Sequence, residues 1–278
     1  MAAVVLALLS SLVWGSADFW GGTLTRRLAA ISVAALSQVA GFGALLVVWA
    51  IVGETPDGHA LWLGAIGGIG GGIGLACFYK ALAIGKMSIV SPISACGAAV
   101  PLIISLASGE RPAVVALVGA PVALGGAVLA SIQEHAAGPG DRRQAVLLAA
   151  ATALGFGVFL YLLGLAGQGG STFSALVGAR LGSLSLLVVL LLALRRSPRV
   201  PRGSLPAIAA VGVLDTLANG LFVAASARGL LSVVAVLGSV YPVVTLLLAQ
   251  LVHGERITRV QRLGVGIAVV GVCLVSAG

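Results

Sequence analysis

Charged residues are scarce in this sequence. Only 9% of the residues are Asp, Glu, Lys or Arg, whereas 59% are hydrophobic. Soluble domains have about 25% charged residues. A chain with so few polar groups cannot cover its surface in water, and this excludes a soluble globular protein.

Residues that build disulfide, metal and nucleotide sites are also few. The three cysteines lie inside apolar runs without a C-x-x-C pair, so no disulfide framework is expected. The three histidines stand singly and the eight acidic residues are scattered, so no metal site is predicted. No P-loop occurs, which argues against ATP-driven activity of this chain alone. We therefore expect no cofactor and no enzyme.

Long apolar runs are what the sequence has in abundance. Runs of roughly 20 apolar residues are typical of membrane-spanning helices. About ten occur, at 3–22, 31–52, 60–80, 88–107, 113–131, 145–166, 172–194, 205–226, 230–251 and 263–277. Backbone polar groups in lipid must be satisfied within each segment, and the period-two alternation of barrels is absent. The sequence therefore predicts an all-α membrane protein with ten transmembrane helices, whose partner is the lipid bilayer.

Seven glycines in "GAIGGIGGGIG" (64–74) fall inside the third predicted span. No register matches the G-x-G-x-x-G of a dinucleotide site, and no strand precedes it. Gly64, Gly68 and Gly72 recur every four residues, and small residues at this spacing let a neighbouring helix approach closely. We expect tight helix packing here, and a bend or sliding surface is compatible with it.

An internal repeat divides the chain into two halves. "GERPAVVALVGAPVALGGAVLAS" (109–131) aligns with "GERITRVQRLGVGIAVVGVCLVS" (254–276) without a gap, with nine of 23 positions identical. Upstream, "FYKALAIGKMSIV" (78–90) resembles "FVAASARGLLSVV" (222–234). The predicted units are a first five-helix repeat at 1–134, a linker at 135–144 and a second five-helix repeat at 145–278.

Five spans per repeat make the second copy enter the membrane from the opposite side. The basic residues agree, because 13 of the 16 Lys and Arg fall in connections on one side of this topology. The positive-inside rule makes that side cytoplasmic and places both termini outside. The net charge of +8 therefore reflects membrane orientation, and no nucleic-acid partner is expected. Inverted repeats are typical of secondary transporters, whose central site opens to each side in turn.

The ten spans in two halves, "LVWGSADF" (12–19) and the two G-E-R boundaries resemble the EamA-type branch of the drug/metabolite transporter superfamily. This resemblance implies a multi-pass protein of a bacterial-type inner membrane. It implies secondary export or uptake of small metabolites, often amino acids or related compounds, through a cavity between the halves. Export is the direction that we expect. It also implies cytoplasmic termini, opposite to the charge count, and both orientations stay open.

Ionisable residues inside the spans are the candidate transport groups, because such residues usually face a cavity or a partner. Arg180 and Asp215 lie at depths that differ by less than about 10 Å, counted at 1.5 Å per residue. They either form a charge pair that locks two helices, or Asp215 binds a substrate amine or a proton beside Arg180. Asn219 follows Asp215 by one helical turn and shares its face.

A second set of candidates lies near the ends of the first and third spans. Asp18 and Lys80 either pair at the mouth of a cavity or reach separately to the interface. Trp14 and Tyr79 beside them either line the cavity or anchor the interface. Asp18, with Asp215, makes protons the candidate coupling ion.

Tyr241 lies in mid-span, where its hydroxyl needs a partner and its ring suits a substrate. Pro242 beside it can kink the helix, as can Pro92, Pro101 and Pro121 in other spans. Glu110 and Glu255 precede the last span of each half, where we expect them at the positive end of that helix.

Two other classes of protein compete with a transporter. An intramembrane enzyme acting on a lipid-linked substrate would need clustered carboxylates, or a nucleophile with a base, and neither is found. A non-transporting membrane subunit would not require ionisable residues within its spans. Only a transporter explains the inverted charge pattern.

Overall fold

The regular structure consists of helices alone in the part of the chain that the computed structural model describes, which is residues 1–84, 93–94, 96–132, 142–169, 171–195, 197–254 and 257–278. The helices are α1 (Ala2–Thr25), α2 (Ala30–Val52), α3 (Gly58–Ile84), α4 (Ala99–Ala107), α5 (Val114–Ser131), α6 (Arg142–Gln168), α7 (Thr172–Ala193), α8 (Leu205–Ser226), α9 (Leu231–Gly238), α10 (Tyr241–His253) and α11 (Arg259–Ala277). Single 3₁₀ turns, Cys96–Ala98 and Arg202–Ser204, precede α4 and α8.

Nine helical segments within the described ranges are long and apolar enough to cross a membrane, when α9 and α10 are taken as one span over Leu231–His253. A shorter apolar segment, Cys96–Ala107, occupies the second part of the predicted fourth span. Pro92, in the first part of that span, lies outside the described residues. The prediction of an all-helical, multi-pass membrane protein is confirmed.

Small residues fill the interior and large apolar residues cover the outside. Alanine is the commonest buried hydrophobic residue, and ten of the buried polar residues are serines. Large side chains such as Val47, Trp62, Leu154, Leu192 and Leu251 are exposed. In a bilayer this surface faces lipid, and close packing of small residues stabilises the contacts between helices.

Helices from the first half of the chain pack mainly against helices from the second half. Helix α1 packs against α8, α2 against α7 and α8, and α3 against α6 and α7. Helix α4 packs against α6 and α9, and α5 against α11. The two halves are therefore interleaved along one common interface, which passes through the centre of the bundle.

The glycine stretch of α3 lies between two helices of the second half. A Cβ atom added to Gly64 or Gly68 would collide with the backbone of α7, and one added to Gly71 would press on Phe159 of α6. The prediction of close helix packing is confirmed, and the glycines serve two neighbouring helices. Side chains at these positions would push α3 away from α7.

Glu110 caps a helix of the other half. Its Oε1 accepts a hydrogen bond from the Leu231 N–H at 3.0 Å, and its Oε2 accepts from the Ser232 N–H at 2.9 Å and the Ser232 hydroxyl at 2.6 Å. The expectation that Glu110 would lie at the start of the following span is therefore wrong, because α5 begins only at Val114. Glu255 lies outside the described residues.

Glu54 makes a similar contact with a second helix. Its Oε1 accepts hydrogen bonds from the backbone N–H groups of Phe173 (3.1 Å) and Ser174 (3.3 Å) at the start of α7. A carboxylate at this position satisfies free N–H groups and interacts favourably with the helix dipole. Glu54 and Glu110 thus tie the halves together on one face of the bundle.

The opposite face has a different contact between the halves. Thr23, near the end of α1, is hydrogen-bonded to the His253 ring at 3.0 Å, and the Phe19 ring lies 5.0 Å from the same imidazole. His253 ends α10, and Gly254 follows it with a φ of 66°. Gly109 has a φ of 101° beside Glu110. Gly109 therefore turns the chain after α4, beside the start of α9, and Gly254 turns it at the end of α10. The two repeated glycines thus lie at opposite ends of the α9–α10 span.

A pair of glycine-to-alanine variants tests the packing of α3. Gly68→Ala should lower the apparent melting temperature in detergent by several degrees, because its Cβ would meet the carbonyl of Ala179. Gly43→Ala on α2 is the matched control, since no neighbouring atom in the described part of the chain lies within 4 Å of its added Cβ. Alanine is the better helix former by about 1 kcal/mol, so the control should be neutral or stabilising. Equal melting temperatures for the two variants would contradict the packing account.

Candidate functional site

An ion pair joins α7 to α8 deep inside the bundle. The Arg180 Nη2 donates to Asp215 Oδ2 at 2.6 Å. Arg180 lies about 12 Å along α7 and Asp215 about 15 Å along α8, counted from each helix start at 1.5 Å per residue. Both are therefore near the middle of their spans, as the sequence positions predicted.

Other polar side chains complete the surroundings of the guanidinium. Arg180 Nη1 donates to the Gln38 side-chain oxygen, and Nη2 also donates to the Thr216 hydroxyl at 2.8 Å. The Ser183 hydroxyl donates to the same Gln38 oxygen at 3.2 Å. Only 6% of the Arg180 surface is exposed. Three helices, α2, α7 and α8, thus hold one buried cation in a fixed orientation.

Glycine lets α2 and α8 approach closely enough to make this cluster. A Cβ atom on Gly41 would collide with Thr216, and one on Gly212 would collide with the carbonyl of Ser37. Gly41 lies one turn from Gln38, and Gly212 one turn from Thr216. The small residues and the polar residues that they bring together therefore alternate along the same interface.

Asn219 lies one turn beyond Asp215, on the face that the sequence predicted. Its amide Nδ2 donates to the backbone carbonyl of Asp215 at 2.6 Å. Its Oδ1 is buried and has no hydrogen-bond partner among the described residues. A buried acceptor without a donor is costly, at about 1–3 kcal/mol, so this oxygen marks a place where a polar ligand or water would be stabilised.

Three aromatic rings cluster around Phe222, one turn beyond Asn219 on α8. The Trp14 ring centre is 5.5 Å from that of Phe222 and 6.3 Å from that of Tyr241, the latter in an edge-to-face arrangement. Trp14 is buried and lies in mid-helix. It therefore lies in the bundle interior and not at a helix end, and its part in lining a cavity stays a prediction.

Tyr241 is the first residue of α10, directly after a break in the span. Helix α9 ends at Gly238, and α10 restarts at Tyr241 with Pro242 in its first turn. Pro242 starts a new helix because it has no N–H and a fixed φ. The predicted fourth span has a 3₁₀ turn at Cys96–Ala98 before α4, and this turn ends three residues before Pro101. Interrupted spans of this kind surround binding sites in many transporters.

Asp18 follows Trp14 by one turn on α1 and is accessible from the surface. It lies within electrostatic range of Asp215 and of Tyr241. Among the described residues no ion pair joins Asp18 to Lys80, which is exposed near the end of α3. The predicted pair at the cavity mouth is therefore not formed among the described residues, and the alternative that Asp18 and Lys80 reach separately to the interface stays a prediction. The side chain of Tyr79 lies outside the described part of the structure.

The structure adds four polar or aromatic residues that the sequence did not single out: Gln38, Ser183, Thr216 and Phe222. Uncharged polar side chains are common in membrane helices, so their presence in a span does not by itself indicate a functional site. Gln38 could have been predicted from the sequence, because a large amide inside an apolar span needs hydrogen-bond partners. The other three required a three-dimensional arrangement.

The central cluster consists of Trp14, Asp18, Gln38, Arg180, Asp215, Thr216, Asn219, Phe222 and Tyr241. It offers two carboxylates, one neutralised by Arg180, a free amide oxygen and aromatic faces. No group of three or more potential metal ligands occurs within the ranges described. Such a site can bind a small polar molecule through hydrogen bonds, charge and ring contacts.

Comparison with known proteins matches both halves of the chain to one family. The model of the "EamA-like transporter family" matches residues 1–132 and 143–277. A search of curated proteins gave no match. In solved structures 26 chains match. One, titled only "Crystal structure of protein", has a TM-score of 0.80 and 20% identity and covers 99% of this chain and 96% of its own. This likeness shows a shared fold.

Removing one partner of the ion pair tests its structural contribution. Asp215→Leu should destabilise the protein by about 2–3 kcal/mol, because it leaves the buried Arg180 without a counterion. The loss is smaller than for a fully buried pair, because the Asp215 side chain is 35% exposed. The double variant Arg180→Met/Asp215→Leu should recover most of the loss, measured by unfolding in mixed detergent micelles. A double variant no more stable than Asp215→Leu would contradict this account.

Proposed function

The chain belongs to the EamA-like transporter family of the drug/metabolite transporter superfamily, and we propose that it is a secondary transporter that moves small polar metabolites by alternating access. Members of the family are membrane transporters. The central cluster is the proposed substrate site. The proposed cargo is an amino acid or a related compound, with export as the proposed direction.

Two inverted five-helix repeats are the proposed framework for this movement. Helix packing supports them, because exchanging the halves converts the largest contacts between the halves into others that also exist. Contact α1–α8 becomes α6–α3, and α2–α8 becomes α7–α3. Contacts α2–α7 and α5–α11 convert into themselves. The separate family matches to 1–132 and 143–277 support the same division.

Glycines of the sequence repeat support the inverted arrangement at the residue level. Gly119 and Gly126 on α5 correspond to Gly264 and Gly271 on α11 in the aligned segments. A Cβ on Gly126 would collide with the backbone of α11, and one on Gly271 would collide with Ala123 of α5. The duplicated positions thus face each other across one interface, as a two-fold relation in the membrane plane requires.

The observation that carries the proposal is the position of the ion pair. Arg180 and Asp215 lie in mid-span, where α7 and α8 of the second half meet α2 of the first half. Ionisable residues at this depth are costly and usually mark a substrate or ion pathway. A site at the interface between two repeats opens to either side when the halves rock against each other.

Contacts between the halves at the two faces supply the proposed gates. Glu54 and Glu110 bind the starts of α7 and α9 on one face, and Thr23 is hydrogen-bonded to His253 on the other. Opening either face requires its own contacts to break. Since charge-assisted hydrogen bonds are stronger than neutral ones, the face with the two glutamates should open less readily without substrate.

Orientation and coupling complete the proposal. The face opposite Glu54 and Glu110 carries the basic connections, and the positive-inside rule makes it cytoplasmic. The proposed location is a bacterial-type inner membrane. Asp18 and Asp215 are the proposed sites at which a coupling proton would bind.

A flux assay tests the proposed function. The cargo is first identified by comparing metabolites in cells with and without the protein, and its flux is then measured in membrane vesicles. Asp215→Asn should reduce this flux at least tenfold while the protein stays folded, because the Asn oxygen still accepts a hydrogen bond from Arg180 but carries no charge.

Asp57→Asn is the matched control for this variant. Asp57 lies directly before α3. Its carboxylate accepts hydrogen bonds from the N–H groups of Ala60 and His59, and these bonds hold the pKa of the carboxyl below its usual value. Asparagine is an equally good N-cap, so flux should be unchanged. Normal flux in Asp215→Asn, with normal amounts of protein in the membrane, would remove Asp215 from the mechanism.

A further inference from the structure

The connection between α7 and α8 is strongly basic. Residues 195–202 read "RRSPRVPR" and contain four arginines. The side chains of Arg195, Arg199 and Arg202 are exposed, and Arg196 lies outside the described residues. The connection is short, so the three described arginines are held within eight consecutive residues at one end of two membrane-spanning helices. They form a concentrated positive charge at the membrane surface.

These three arginine side chains have no counterion in the part of the chain that the structure describes. None of them forms an ion pair or a side-chain hydrogen bond with a described residue. The sequence has no acidic residue between Asp141 and Asp215, and Asp215 is bound to Arg180 in mid-span. An anion from outside the chain can therefore approach the guanidinium groups without displacing a described partner.

Turns and prolines restrict the backbone that carries the arginines. Arg195 has a φ of 49°, and this left-handed residue ends the helical path of α7. The Arg199 N–H donates to the Ser197 carbonyl at 2.8 Å. Pro198 and Pro201 each have a φ that the ring fixes. Because the backbone is already restricted, a partner that binds here loses less of its binding free energy to the ordering of a loop.

Exposed apolar side chains lead along α7 to the arginines. Val188 is 52% exposed, Leu192 is 72% exposed and Leu194 is 56% exposed. Val188 and Leu192 are four residues apart on one face of the helix, and Leu194 directly precedes Arg195. In a bilayer these apolar side chains contact acyl chains, and the arginines that follow reach the headgroups. The order of apolar and positive groups thus matches the order of acyl chains and phosphate in a phospholipid.

The charge of the headgroup decides which phospholipid fits best. Clusters of Lys and Arg beside a membrane-spanning helix attract anionic lipids. A guanidinium can also donate two parallel hydrogen bonds to one phosphate. A zwitterionic headgroup has the same phosphate, but its ammonium group is repelled by clustered arginines. The connection therefore favours a lipid with a net negative charge.

We propose that Arg195, Arg199 and Arg202 form a binding site for the headgroup of an anionic phospholipid, whose acyl chains lie on the exposed face of α7. The bound lipid holds the adjoining ends of α7 and α8 at the level of the headgroups. These are the helices that carry Arg180 and Asp215, so the lipid stabilises the packing around the ion pair. The proposal does not rest on the proposed transport function.

Lipid binding to the purified, delipidated full-length protein in detergent tests the site. The probes are dioleoyl phosphatidylglycerol, which is anionic, and dioleoyl phosphatidylcholine, which is zwitterionic and has the same acyl chains. Native mass spectrometry should show that the anionic lipid binds about tenfold more tightly. It should also raise the apparent melting temperature more than the zwitterionic lipid, because a ligand of the folded state stabilises it. Equal affinities for the two lipids would overturn the proposal.

A triple variant removes the charges of the site. Arg195→Gln/Arg199→Gln/Arg202→Gln should reduce the preference for the anionic lipid to about twofold or less, because the long polar side chains remain but their charge is lost. Its affinity for the zwitterionic lipid should change little. A triple variant that keeps the full preference would overturn the proposal.

A matched control removes the same number of arginines from other connections. Arg27, Arg259 and Arg262 are exposed and lie in connections that the charge pattern assigns to the same face. The variant Arg27→Gln/Arg259→Gln/Arg262→Gln should keep most of the preference for the anionic lipid. An equal loss in both triple variants would overturn the proposal, because the total charge of the face would then select the lipid.

Two conditions applied to the unmodified protein keep the test decisive if a variant is unstable. Raising the salt concentration from 0.1 M to 1 M shortens the Debye length from about 10 Å to about 3 Å. The extra stabilisation by phosphatidylglycerol over phosphatidylcholine, measured by melting at each salt concentration, should then largely disappear. Free glycerol 3-phosphate lacks acyl chains and should not displace phosphatidylglycerol. A difference between the lipids that persists in 1 M salt, or displacement by glycerol 3-phosphate, would overturn the proposal.

Discussion

The ion pair between Arg180 and Asp215 is the interaction on which the rest of the arrangement depends. An isolated Arg or Asp at the centre of a membrane helix costs about 2.5–3.5 kcal/mol on insertion scales. The pair is supported by Gln38 and Thr216, which satisfy further donors of the guanidinium. This support requires α2, α7 and α8 to meet at one depth, so the position of the pair constrains the packing of three helices.

Small residues make that meeting possible. Glycines bring α2 to the backbone of α8 and α3 to the backbone of α7. In lipid, helices gain little from burying apolar area, and association depends on close contact and interhelical hydrogen bonds. The same interfaces therefore provide the stability of the bundle and the position of its polar centre. Interfaces of glycine and alanine also lack interlocked large side chains, which suits helices that must shift against each other.

Much of this could be predicted from composition and spacing. The helical type of the spans, nine of their ten positions, the glycine packing of α3 and the proximity of Arg180 to Asp215 follow from hydropathy, a four-residue period and depth counting. The binding of Glu110 to α9 could not be predicted, because the contact joins residues 121 positions apart. The contacts of Gln38 and Thr216 could not be predicted from the sequence either, since uncharged polar residues are frequent in membrane helices. Whether Asp18 pairs with Lys80 or reaches separately to the interface could not be decided from the sequence, because depth alone does not give the direction of a side chain.

Access to the centre from both faces is the most direct test of this account. Ser183→Cys, a nearly isosteric change beside Gln38, would be made in a protein whose Cys77, Cys96 and Cys273 are replaced by serine. The protein would be reconstituted in one orientation and treated with a membrane-impermeant thiol reagent from either side. We predict modification from each side, with transported substrate changing the ratio of the two rates. Modification from a single side only, with or without substrate, would contradict a centre that opens alternately.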